Sequence, residues 1–190
     1  MSQVKISGNA SGTGVLTIAA PNTNTDRSIT ILDKAGAIAV GAGTIVQVVQ
    51  ATTNTEVAVS STTYTDTGVT ASITPTSSSN KVLVMINQQF QVFRTSGAQG
   101  MGYKILRDST EIYVPPDNSN GPFLSLTTEN EHLGCITVNF LDSPSTTSST
   151  TYKAQGRPYL TSSSGVVRFQ TSTGGVTAGT SVITLMEVVA

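Results

Sequence analysis

Asn80-Lys81-Val82-Leu83-Val84-Met85-Ile86-Asn87-Gln88-Gln89-Phe90-Gln91-Val92-Phe93-Arg94 is the stretch that decides the fold class. Val82, Val84, Ile86, Phe90 and Val92 fall at alternate positions, which places them on one side of an extended strand. Gln88 is the polar exception in that series. The other series reads Leu83, Met85, Asn87, Gln89, Gln91, Phe93 and begins apolar as well. The first half of the strand is therefore expected to be covered on both faces, and the second half on one.

The same period recurs on either side. Val69, Ala71 and Ile73 alternate with Thr70, Ser72 and Thr74; Ile136, Val138 and Phe140 repeat the pattern, as do residues Val166 to Gln170. Ser181 to Val189 is apolar on both faces apart from Thr184 and Glu187, which predicts a central strand at the C-terminus. Ser and Thr supply 54 of the 190 residues and charged residues only 11%. Thr and Val suit a pleated surface, and no window carries a helical apolar stripe. Ser/Thr tracts at 76–79, 143–149 and 161–165 bury nothing, and Gly/Asn turns punctuate the chain. Many short strands separated by such turns predict an all-β chain with an antiparallel β-sandwich of jelly-roll type.

The chain divides near Gly41-Ala42-Gly43. Residues 1–43 hold short expected strands at 14–19, 27–32 and 37–40 but few large apolar groups. A segment of about 40 residues without staples needs partners in order to fold. Val15, Leu16, Ile18, Ile29, Ile31 and Leu32 are its candidates for anchoring and oligomerisation. Residues 44–190 are long enough for a self-sufficient core, the expected projecting domain.

Gly12 to Asp33, with Leu16-Thr17-Ile18-Ala19-Ala20-Pro21 and Ile29-Thr30-Ile31-Leu32-Asp33 inside it, resembles the short β-modules of bacteriophage tail-fibre-like proteins. The rest is similar to a C-terminal domain found behind such modules. The residues that carry this are Tyr64-Thr65-Asp66-Thr67-Gly68-Val69, Ser79-Asn80-Lys81-Val82, Leu141-Asp142-Ser143-Pro144, Thr151-Tyr152-Lys153 and the closing Ser181 to Val188. The resemblance implies a virion protein of the fibre class, jelly-roll-like and homotrimeric, placed on the particle surface as a tail fibre or a capsid decoration. Its implied partners are copies of itself and other virion proteins.

Chemical signals are sparse. One Cys allows no intramolecular disulfide, and a net charge of −1 gives no footprint for nucleic acid. The longest apolar run, Val82 to Ile86, is far below the roughly 20 residues that span a bilayer, and the N-terminus has no apolar signal-peptide core. His132 and Cys135 lie three apart, hence on opposite faces of a strand. Asp117, Ser119 and Asn120 before Gly121 lack the later Glu of a calcium loop. Gly97, Gly100 and Gly102 precede no helix that would hold a phosphate. Asp108, Glu111, Glu129, Glu131 and Asp142 are carboxylates that nothing in the sequence pairs, and no nucleophile elbow occurs. Neither enzymatic activity nor a cofactor is expected.

The alternative is a receptor- or carbohydrate-binding module, reading a host surface glycan with tyrosines in distal loops. Tyr103, Tyr113 and Tyr159 are its candidate ligand contacts, since sugars stack on aromatic faces. The pentapeptide at 60–64 recurs at 148–152, so Tyr64 and Tyr152 are expected to cap the same end of the sandwich.

Overall fold

The computed structural model describes residues 42–93, 100–114, 131–159, 165–171 and 178–190. The chain forms two compact units, Met1–Ile38 and Ala39–Ala190, and every described residue belongs to the second. The expected N-terminal strands lie outside the described residues, as do Val15, Leu16, Ile18, Ile29, Ile31 and Leu32.

The described residues contain strands and no helix. In chain order these are β1 (Ile45–Thr53), β2 (Val57–Val59), β3 (Thr65–Ile73), β4 (Lys81–Phe93), β5 (Met101–Arg107), β6 (Thr110–Tyr113), β7 (Glu131–Asp142), β8 (Thr150–Pro158), β9 (Val166–Phe169) and β10 (Ser181–Val188). Every pairing is antiparallel.

The decisive stretch becomes β4, the centre of sheet A. One of its edges pairs with β7 along nearly its whole length, from Val82↔Asp142 to Phe93↔Glu131. The other edge is shared, by β10 over residues 81–87 and by β9 over residues 90–93. β1 pairs with β10, and β2 with β9. Sheet A thus has four columns: β1/β2, β10/β9, β4 and β7. Sheet B runs β3, β8, β5, β6. Counting each broken column as one strand, this is the eight-stranded arrangement of two Greek keys that defines a jelly roll. The all-β antiparallel sandwich expected from the sequence is what forms.

Alternation explains the core. Val82, Val84, Ile86, Phe90 and Val92 all point inward and are buried, with Val69, Ala71, Ile73, Ile136, Val138, Ile183 and Leu185. Each such Val, Leu, Ile or Phe side chain stabilises by roughly 1.5–3 kcal/mol relative to exposure. Two glycines make room for rings: a Cβ at Gly156 would run into Phe169, and one at Gly134 into Phe90.

The opposite face of β4 departs from expectation. Its first half is the open half: Met85 is 37% exposed and Leu83 half-buried. The second half is the covered one, where Gln91 is fully buried. The apolar series is there, but no described segment packs over it. The prediction for the C-terminus holds, with β10 central between β1 and β4.

Gln88 is buried because it has partners. Thr67 Oγ1 donates to its Oε1 (2.7 Å), and its Nε2 donates to Ser181 Oγ (3.2 Å). The Gln89 backbone N–H donates to that same Oγ (2.9 Å), and the Gln170 amide bonds to it (2.8 Å). A bulge in β3 between Asp66 and Thr70, with Gly68 at φ +87°, aims Thr67 into this network. The cluster sits where the β10 and β9 columns break. It supplies partners that the interrupted ladder does not.

Candidate functional site

Each described carboxylate lies at a strand end or on an outer face and is held by other groups of the fold. Asp142, the last residue of β7, accepts from Arg107 NH1 (2.9 and 2.7 Å) and from Tyr152 Oη (2.7 Å). Arg107 closes β5 and Tyr152 lies near the start of β8, so this triad ties sheet A to sheet B at one end. Burial would lower the guanidinium's pKa, but the Asp142 carboxylate raises it. Burial, then the bond to Asp142, pushes the Tyr152 hydroxyl well above its ordinary value. Neither group is tuned to exchange a proton near neutrality. Asp142 and Tyr152, from the motifs at 141–144 and 151–153, act here with Arg107 as a structural clamp.

Glu187 lies on the inward side of β10, fully buried. Its Oε1 accepts from the Thr76 backbone N–H (2.7 Å), Thr76 Oγ1 (2.8 Å) and Asn80 Nδ2 (2.7 Å). Burial alone would raise its pKa; the hydrogen bonds from Asn80, Thr76 and the loop backbone hold it below the ordinary glutamate value. The carboxylate organises the Ser/Thr loop that leads into β4.

On the outer face of sheet B, Lys153 Nζ pairs with Asp66 (2.9 Å) and Lys104 Nζ with Glu111 (3.0 Å). Gln155 Nε2 also donates to Asp66 (2.7 Å). Burial tends to raise the Asp66 pKa, and the bonds from Lys153 and Gln155 outweigh it and lower it. The Tyr64 ring lies under Lys104 Nζ (4.4 Å) and Arg157 Cζ (4.9 Å), a cation–π stack. Tyr152 sits inward at the far end of the same sheet. Tyr64 and Tyr152 therefore do not cap one end: β3 and β8 pair antiparallel, so strands that begin alike begin at opposite ends.

The candidate ligand tyrosines are not brought together. Tyr103 is 1% exposed, inside the core, and burial raises its hydroxyl pKa far above the ordinary value. It presents nothing to a ligand, because the β5 alternation turns it inward. Tyr113 is half-buried and stacks on Phe140, centroids 5.4 Å apart. Tyr159 is half-buried just past β8, its N–H bonded to the Gly100 carbonyl (2.9 Å). His132 and Cys135 do lie on opposite faces. The His132 ring is 6.1 Å from Phe90, while Cys135 Sγ donates to Asn87 Oδ1 (2.8 Å) on the outer side. Among the described residues no three His, Cys, Asp or Glu side chains converge as metal ligands do. Glu131 Oε2 accepts from Gln91 (2.9 Å), and Asp108 Oδ1 accepts from the Thr151 N–H (2.9 Å). Residues 117–121, 129 and 97–99 lie outside the described residues.

The outer face of sheet A differs in kind. Register puts Val48, Met186, Leu83 and Leu141 side by side in one row across all four columns. Gln50, Thr184, Met85 and Asn139 form the next row, then Thr52, Val182, Asn87 and Thr137. A shallow open depression of about 230 Å³ lies beside the apolar row, lined by Met85, Asn87, Thr137, Asn139, Val182 and Thr184. Local sequence marks this face only in part, through the apolar start of the second β4 series and the two-sided apolarity of β10; the row itself joins four separated strands.

No family model matches the chain, and no curated protein matches it. Among solved structures, it resembles a chain in "Structure of infectious bursal disease virus Gt strain" with a TM-score of 0.35 and 13% identity. It also resembles one from the Gx strain, with a TM-score of 0.32 and 16% identity. In both cases 86% of this chain is covered but only 42% of the other, so it spans less than half their length. Neither likeness is close enough to carry a function across.

Proposed function

We infer that the chain is a non-enzymatic structural protein of a virus particle, a short homotrimeric bacteriophage appendage that displays a jelly-roll knob. Its N-terminal residues anchor it, on a tail or as a decoration of the capsid. The observation that carries this reading is the use made of the reactive groups. Every described carboxylate is held by a cation, an amide, a hydroxyl or a backbone N–H that serves the fold. What remains is a stiff, hydrogen-bonded sandwich with low charge, suited to permanent display. The resemblance of residues 12–33 and of the strand-end motifs to tail-fibre-like proteins supports the same conclusion. Gold-labelled antibody against the chain should decorate intact particles at regular positions. Label confined to unassembled lysate overturns the assignment.

A further inference from the structure

We propose that the outer face of sheet A, centred on Val48, Met186, Leu83 and Leu141, is where this chain packs against a second copy of itself.

Four observations lead there. First, the face carries a whole apolar row, with Met85 and Val182 beside it, where an ordinary one-sided sheet is polar. Val48 is 57% exposed, Leu141 50% and Met85 37%, and Leu83, Met186, Val182 and Val188 extend the same surface. Contiguous exposed apolar area of this kind marks a contact surface in a soluble protein. Second, the face is uncharged. Between Lys81 at one end and the line of Glu131, Gln91, Arg168 and Glu56 at the other, no outward side chain of the four columns carries charge. An uncharged face selects neither phosphate nor an acidic or basic partner. It is complementary to another neutral face, and this chain carries one.

Third, the size fits. Eight residues along the strands and four columns across give about 26 Å by 19 Å, on the order of 500 Å² in projection. Three such faces turned toward a threefold axis withdraw about 1,500 Å² from water in all, and side-chain relief adds to it. Fourth, the face is not flat. The apolar row Val48 to Leu141 runs beside the depression lined by Asn87, Thr137 and Asn139. The amides and hydroxyls in that depression also argue against a lipid occupant, since they find no partner in hydrocarbon. The rim strand β7 has no described neighbour on its outer edge, and an exposed edge of this length is one that folded proteins cover.

The proposal deepens the multi-copy reading above and rests on it for the identity of the partner. Cys135, the chain's single thiol, lies on this face and reports on it without engineering. The test uses the full chain in three forms: native, Val48→Lys with Leu141→Lys, and Thr70→Lys as a control on sheet B. Both substituted apolar residues are at least half exposed, so the folded single chain has no reason to suffer; cooperative melting checks this. Sedimentation and Cys135 maleimide labelling are then compared. The native chain and Thr70→Lys should sediment as a multimer with Cys135 protected. The double variant should sediment as a 19.6 kDa monomer with Cys135 freely labelled. Juxtaposed lysines should weaken association on the order of a hundredfold or more. A multimeric native chain whose double variant stays multimeric, with Cys135 labelling freely in both, overturns this surface and leaves the multi-copy reading standing. A monomeric native chain overturns both.

Discussion

The two sheets of this sandwich share an apolar interior but place their polar and charged groups differently. Sheet B keeps apolar side chains inside, Tyr103, Ile105, Tyr152 and Ala154 among them, and places Asp66, Lys153, Lys104 and Glu111 in water. Sheet A buries Gln88, Ser181 and Glu187 within and shows Val48, Leu83, Met85 and Leu141 without. The outer face of sheet B is charged; that of sheet A carries an uncharged apolar row. The inward polar groups of sheet A follow from its broken columns, which leave backbone and loop donors in need of acceptors. The contrast teaches that the period-2 pattern marks which positions share a face, while their burial depends on what packs over that face.

The largest expected effect comes from the one charge that sheet A places inside. Glu187→Ala removes the acceptor of three donors, Thr76 N–H, Thr76 Oγ1 and Asn80 Nδ2. Unsatisfied buried donors should cost about 3–4 kcal/mol in urea unfolding. The pH dependence follows from the direction of the shift. A carboxylate whose folded pKa lies below its unfolded one contributes its stability in full above the unfolded value. It loses that contribution as pH falls through the folded value. Native stability should therefore drop as pH falls below the ordinary glutamate value of 4.5. Glu187→Gln should flatten that limb, leaving the smaller part due to Asp66, whose shift has the same sign. An acid limb equally steep in Glu187→Gln removes Glu187 from this role.

How much of this was legible in the sequence depended on side-chain size. β4, β7, β9 and β10 show their alternation because large aliphatic and aromatic residues mark the inward positions. β8 does not: its inward series is Thr150, Tyr152, Ala154, Gly156 and Pro158, mostly small residues that fill little space. Phe169 reaches across from β9 to fill what Gly156 leaves, a relation that no local window reveals. The glycines around Tyr103 signal turns and so disguise it as a loop aromatic; it is a core residue of β5. The Asp142–Arg107–Tyr152 clamp joins three strand ends and needs the fold before it can be seen.

Ser181→Ala should have an intermediate effect and test whether the polar interior of sheet A is required. Ser181 Oγ meets Gln88 Nε2, the Gln89 N–H and the Gln170 amide at once. Removing it leaves buried amide groups short of a partner, at about 2 kcal/mol by denaturant unfolding. The matching change in sheet B's inward surface, Ala154→Ser, adds an unpartnered hydroxyl and should destabilise as well. If Ser181→Ala is neutral, the network is an incidental feature of packing, and the sheets differ only on their outer faces.

The smallest effect is expected on the charged outer face. Lys153 pairs with Asp66 at 2.9 Å, but the Asp66 side chain is half in water, and Gln155 remains as its second donor. Such exposed pairs contribute about 0.2–1 kcal/mol, and salt screens them. Lys153→Ala should therefore shift unfolding by about 0.5 kcal/mol at low ionic strength and by less at high salt. It should leave sedimentation unchanged, because the face it alters is complete in the single chain. A Lys153→Ala variant that dissociates the multimer, while the sheet A variants do not, would exchange the roles of the two faces.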